Sequence, residues 1–141
     1  MEEEVKHDLP EEPLQTGQRI ININMPAPCS MLCLTWVSPS AKTRESVALS
    51  VLQRIISNGD HGRKKELIDS GVIHNVGCYA PRNVNAYIFC LHGAFGLHDQ
   101  ETLENGEAKL HNMLDSIATG LSQNELDLAK KTIETEWNVM P

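Results

Sequence analysis

The chain has 141 residues, 40% of them hydrophobic, and a formal net charge of −7. That length builds one domain with a core and leaves little room for a second, and the acidic balance excludes a nucleic-acid reader, which must neutralise phosphates with clustered Lys and Arg. No apolar run approaches the roughly 20 residues that cross a bilayer, and Met1-Glu2-Glu3-Glu4 is the reverse of a secretory signal, so a soluble chain without membrane partners is expected.

Residues 1–18 hold acidic groups, Pro10, Pro13 and Gly17 but few large apolar side chains, so burial cannot repay the entropy of ordering them. They read as an acidic flexible leader, and residues 19–141 as a single α/β domain. Ile20, Ile21 and Ile23 form a short β-prone run stopped by Pro26 and Pro28, which cannot donate to a ladder; an edge or opening strand is expected there. Residues 31–37 are apolar on both alternating faces apart from Thr35, the pattern of a central strand covered on both sides. Ser38 or Ser40 as a cap, with Pro39 in the first turn, then opens an amphipathic helix over about residues 41–57. Val47, Leu49, Val51, Leu52, Ile55 and Ile56 recur along it at helical spacing, and Asn58-Gly59 ends it.

With Asp60 at its start, a short helix is expected over residues 61–70, closed by Gly71 in the left-handed conformation. Residues 72–80 and 86–94 are β-like, and Pro81-Arg82-Asn83-Val84-Asn85 between them is a turn-rich link of hairpin length. Asp99 caps a third helix, marked by Leu103, Leu110, Met113, Leu114, Ile117 and Leu121 and stopping near Gly120. Ser122-Gln123-Asn124-Glu125 is a capping-box pattern, after which Leu126, Ala129, Ile133 and Trp137 line one side of a fourth helix. This order predicts an α+β fold in two layers, a mainly antiparallel sheet with helices on one face and a β-α-β-β-α-α core. Trp36 and Trp137 are assigned to that core, because large aromatics in apolar stripes act mainly through burial.

Taken in order, three stretches resemble the pitrilysin and insulinase group of zinc peptidases. The first is the strand at residues 31–37 leading through Ser38-Pro39 into the helix with Leu49-Ser-Val-Leu-Gln-Arg-Ile-Ile56, similar to the opening of that family's repeated domains. The second is Gly62-Arg-Lys-Lys-Glu-Leu-Ile-Asp-Ser-Gly71, similar to the S-P-L-x-K-x-L-I-x-S-G-L segment of the presequence protease branch, with Gly62-Arg63-Lys64 in place of its Ser-Pro-Leu. The third, Gly120-Leu-Ser-Gln-Asn-Glu-Leu-Asp-Leu-Ala-Lys130, is similar to the family's G-h-s-x-x-E-L-x-x-A-K start of a late helix, h being hydrophobic. The resemblance implies a mitochondrial-processing-peptidase-like fold, in which repeated α/β domains enclose a peptide-degrading chamber and only one repeat holds the metal. This chain is similar to one of the other repeats.

The family's chemistry needs H-x-x-E-H, two histidines one helical turn apart on zinc and a glutamate that activates the bound water. His7, His61, His74, His92 and His111 have no glutamate three residues later, and His98-Asp99-Gln100-Glu101-Thr102 has Thr102 where the second ligand belongs. That near miss reads as a helix start, with Asp99 capping and Glu101 in the favourable first turn. There is no G-x-S-x-G elbow, Walker loop or G-x-G-x-x-G either. The expectation is a chain with no catalytic or cofactor-binding residues, inactive alone, and with zinc held by a partner domain that carries H-x-x-E-H. It would bind peptide, other domains of a peptidase or further copies of itself, through its sheet edge or an exposed apolar patch. The other reading is a stand-alone regulatory or metal-binding module that kept the fold and lost the peptidase.

Cys29, Cys33, Cys78 and Cys90 lie in apolar or β-like stretches without a C-x-x-C pair, so reduced, mostly buried thiols in a cytoplasmic or organellar-matrix compartment are expected. If the hairpin centres near Asn83, residues of equal parity share a face, and His74, Cys78, Cys90 and His92 come together as a Cys₂His₂ ligand set. The alternative makes Cys78 and Cys90 small buried hydrophobes beside Val76 and Ile88, with the histidines at the sheet rim, and a one-residue register change scatters the set. No metal site is assigned on this balance. Arg63-Lys64-Lys65 reads as a solvated face rather than a grip on a substrate carboxylate or acidic partner. In the peptidase family an arginine and a tyrosine from a non-metal repeat orient substrate; here His74 stands near the tyrosine's place and no arginine occupies the adjoining helix end. Full members of the family continue well beyond the helix containing Trp137, so an excised piece or a truncated relative is expected.

Overall fold

The structure, a computed structural model, describes residues 13, 15–39, 43–58, 62–79, 88–96 and 100–139, and only the backbone of residues 100–102, 137 and 139. In chain order the elements are β1 (Ser30–Val37), α1 (Arg44–Ser57), α2 (Lys64–Asp69), β2 (Ile73–Tyr79), β3 (Ile88–Phe95), α3 (Gln100–Gly120) and α4 (Gln123–Val139). The three strands form one antiparallel sheet in the order β1-β3-β2. Helices α1 and α2 pack on β2, α3 lies across β1 and β3, and α4 packs on α1. This is the expected α+β architecture, with the helices on one face.

β3 occupies the centre because its alternation supplies the largest inward side chains. Phe89, Leu91 and Phe95 are buried, and they meet Ile73 and Val76 of β2, Ile55 and Ile56 of α1, Leu110, Met113 and Ile117 of α3 and Ala129 of α4. Each fully buried side chain of Leu or Phe size contributes about 1.5–3 kcal/mol relative to exposure. Helix α3 approaches this core through Gly106, where an added Cβ would run into the Phe95 ring. Glycine there forgoes about 1 kcal/mol of helix propensity and lets the helix sit against the sheet.

Several sequence expectations need correction. Among the described residues β1 is an edge strand, not a central one: it pairs with β3 alone, from Ser30 opposite Phe95 to Val37 opposite Ile88. Leu32 and Leu34 pack on the core, while Met31 and Val37 on the other face stay exposed. The run at Ile20–Ile23 is not a strand in the structure. Among the described residues it has no ladder partner to satisfy its backbone, and Ile21 is 81% exposed. Helix α1 starts at Arg44, later than expected, because Thr43 is its N-cap; the Thr43 Oγ1 accepts from the Ser46 backbone N–H at 3.3 Å, and the Ser46 hydroxyl donates to the Thr43 carbonyl at 2.9 Å. Ser40, Asp60, His61, the link at residues 80–87 and Asp99 lie outside the described residues.

Other local signals match the geometry. Gly71 closes α2 with φ +75° and donates its N–H to the Ile68 carbonyl at 3.0 Å. At the start of α4 the capping box closes in both directions: the Glu125 N–H reaches the Ser122 hydroxyl at 3.3 Å, and the Ser122 N–H reaches Glu125 Oε2 at 3.0 Å.

Candidate functional site: the open face of the sheet

Antiparallel pairing decides which side chains share the face away from the helices. Met31 lies opposite Ala94, Cys33 opposite His92, Thr35 opposite Cys90 and Val37 opposite Ile88, while β2 adds Gly77 opposite His92 and Tyr79 opposite Cys90. The apolar members remain in water: Met31 is 65% exposed, Val37 75%, Tyr79 59% and Ile88 46%. Adjoining exposed apolar groups of this kind make the face a candidate interaction surface. Between them lies a small polar and sulfur-bearing centre made of Thr35, Cys33, Cys90 and His92.

Cys33 and Cys90 stand on a diagonal of the β1–β3 ladder, and their sulfurs approach to 3.1 Å as free thiols sharing a hydrogen bond. Burial pushes the Cys90 thiol up to about 11, and the hydrogen bond to Cys33 pushes in the same direction. The His92 ring leans the other way, onto β2, over Gly77; a Cβ at Gly77 would strike the imidazole. The glycine therefore makes room for His92 on the face.

The expected ligand set is not assembled. Pairing of Gly77 with His92 and of Tyr79 with Cys90 puts Cys78 opposite Leu91, on the helix side, where it packs against the core. Burial there pushes the Cys78 thiol up to about 12, with Cys90 adding a smaller electrostatic push. His74 sits at the register shift between Ile73 and Asn75 and is exposed, with its Nε2 3.4 Å from where a Cβ on Gly96 would be. Of the four residues only Cys90 and His92 share the open face, and among the described residues no group of three His, Cys, Asp or Glu side chains could hold a metal ion. Cys33 reaches this face through β1, which pairing of β2 with β3 alone leaves out; its even spacing from Thr35 and Val37 is the signal for it in the sequence.

Arg63 is not part of a solvated basic face. Its Nε and Nη2 donate to the two carboxylate oxygens of Glu125, at 2.5 and 3.0 Å, and Nη2 also reaches the Gly120 carbonyl at 3.3 Å. This fork, followed by the bonds from Ser122, holds the Glu125 carboxyl down to about 2. Preceding it, Gly62 is buried where an added Cβ would stand 2.6 Å from the Ile56 carbonyl oxygen and 2.7 Å from the Asn58 nitrogen. Among the described residues, Lys65 pairs with Asp69 at the surface. The two stretches beginning at Gly62 and Gly120 are thus joined in space. Trp36 is only partly in the core: 37% exposed, it lies 5.9 Å from the Phe89 ring and meets His111 of α3 edge-on at 6.3 Å. The Trp137 side chain lies outside the described residues.

A sheet clad by helices on one side, with an apolar second side and no gathered metal ligands among the described residues, defines an α+β building-block domain. The sequence profile of the Peptidase M16 inactive domain matches residues 2–133. The chain belongs to this family, the non-catalytic domain type of the pitrilysin and insulinase peptidases. The match begins at residue 2 and so runs through the acidic N-terminal stretch. No curated protein matches the chain. No helix among the described residues is long and apolar enough to cross a membrane.

Proposed function

We propose that this chain is a chamber-wall domain of a zinc peptidase of the presequence protease branch, and that the open face of its sheet docks against another domain of that peptidase. β1 carries the reading. Its sequence is that of a strand covered on both faces, yet the helices cover one and leave Met31 and Val37 exposed on the other. A neighbouring domain supplies the missing cover, and zinc belongs to the domain that carries H-x-x-E-H. The family's inactive character and the absence of H-x-x-E-H from this sequence support a role in enclosing and binding peptide rather than cutting it. The register separates the four residues that a stand-alone metal module would need, and so favours the wall-domain reading.

The test is reconstitution with a presequence-protease-type domain bearing H-x-x-E-H. A stable complex and peptide hydrolysis are expected from the mixture, with none from this chain alone. The double substitution Val37→Asp and Ile88→Asp should abolish the complex while the far-ultraviolet circular dichroism stays unchanged. Full binding by that variant overturns docking through this face, and hydrolysis by the isolated chain overturns the non-catalytic role.

A further inference from the structure

We propose that Cys33 and Cys90 form a reversible dithiol–disulfide site, a modification site on the open sheet face that is closed by glutathione disulfide and opened again by glutathione. The two sulfurs already lie 3.1 Å apart, about 1 Å beyond bonding distance, on adjacent strands whose ladder holds their backbones in place. Cys33 is exposed on the edge strand and Cys90 half-buried on the central one, so the two thiols divide the work. Cys33 meets the oxidant. Its thiolate attacks one sulfur of glutathione disulfide, forming a Cys33–glutathione mixed disulfide and releasing one glutathione thiolate. Cys90 then gives its proton to the glutathione thiolate just released and attacks the Cys33 sulfur, displacing the second glutathione as a thiolate that takes up the proton Cys33 left to solvent. Two protein thiols are oxidised by two electrons, one glutathione disulfide is reduced to two glutathiones, and the Cys33–Cys90 bond remains.

The geometry suits this order, since Cys33 is exposed to the oxidant while Cys90 is half-buried behind it, held protonated by burial first and then by its hydrogen bond to Cys33. Cys78 cannot compete, because it packs on the helix side of the sheet. The bond would tie the edge strand to the central strand across 57 residues of sequence, which makes it a staple for β1. This chemistry belongs to the chain with its open face free, and a domain docked there as proposed above would shield Cys33 from glutathione.

The purified chain is equilibrated with glutathione disulfide and then mapped by non-reducing peptide mass spectrometry. The expected product is lighter by two hydrogens, with the Cys33 and Cys90 peptides linked, and melts higher by about 5 °C or more until a dithiol reductant reverses it. Cys90→Ser should trap one glutathione on Cys33, and Cys33→Ser should leave Cys90 unmodified. Before oxidation, phenylarsine oxide, which needs two adjacent thiols, should bind the native chain once and neither variant. A lasting glutathione adduct on Cys33 of the unsubstituted chain overturns the site. So does a disulfide that joins either residue to Cys29 or Cys78, or failure to oxidise while both thiols remain free.

Discussion

Along β3, Phe89, Leu91 and Phe95 enter the helix layer and are buried, whereas Ile88, one residue before Phe89, is nearly half exposed. β1 repeats the contrast: Leu32 and Leu34 pack on the core, and Met31 and Val37 do not. Both faces carry apolar groups of similar size, so residue type alone does not separate them. The helices do, and an apolar face that the described residues leave bare supports the proposed cover by another domain. The same chemistry is stability on one side and, in the proposed docking, recognition on the other.

Substitutions can break that contrast. The largest effect is expected at Phe95, the ring that fills the space between β3 and Gly106: Phe95→Ala should lower the unfolding free energy by about 3–5 kcal/mol, read from urea unfolding. Gly106→Ala should destabilise by about 1–3 kcal/mol in the same assay, although alanine is the better helix former, because the new methyl overlaps the Phe95 ring. Stabilisation by that substitution would mean that α3 does not sit so close to the sheet.

Glu125→Gln should lose about 1–2 kcal/mol at neutral pH, since it removes the charge that Arg63 grips in a half-buried pair. The carboxyl is held from its ordinary value of 4.5 down to about 2, so its contribution is fully present above pH 4.5 and drains away as the pH falls through that window. The difference between the variant and the unsubstituted chain should therefore shrink from pH 5 toward about pH 2. A constant difference would show that the ion pair is not its source.

Two smaller effects sharpen the comparison from the open side. Ile88→Ser and Val37→Ser should each change stability by less than about 0.5 kcal/mol, in contrast to the core positions that alternate with them. Brief alkylation of the native protein should label the exposed Cys33 and spare Cys78, whose thiol is pushed up to about 12 in the core; equal labelling of the two would contradict the register.

Signals confined to a few neighbouring residues were legible before the fold was known. Gly71 closes its helix through one left-handed residue, and Ser122 and Glu125 close theirs within one turn. The start of α1 was misread because several hydroxyl residues precede it and only the backbone path selects Thr43. The Cys₂His₂ grouping failed for a different reason: a shift between Ile73 and Asn75 and an odd pairing offset move Cys78 to the other face, and a period of two turns any odd slip into a change of side.

From Ser30 onward, the order of helices and strands, their segregation into two layers and the lack of an H-x-x-E-H zinc motif were all legible in nearby residues, because periodicity, capping and motif content are local; the run at Ile20–Ile23 was not, since a strand also needs a partner. Tertiary structure decided that β1 lies at the edge, that Cys33 meets Cys90, and that Arg63 reaches Glu125. These contacts join residues 57 and 62 positions apart, and their geometry comes from ladder register and helix packing, which no local pattern encodes.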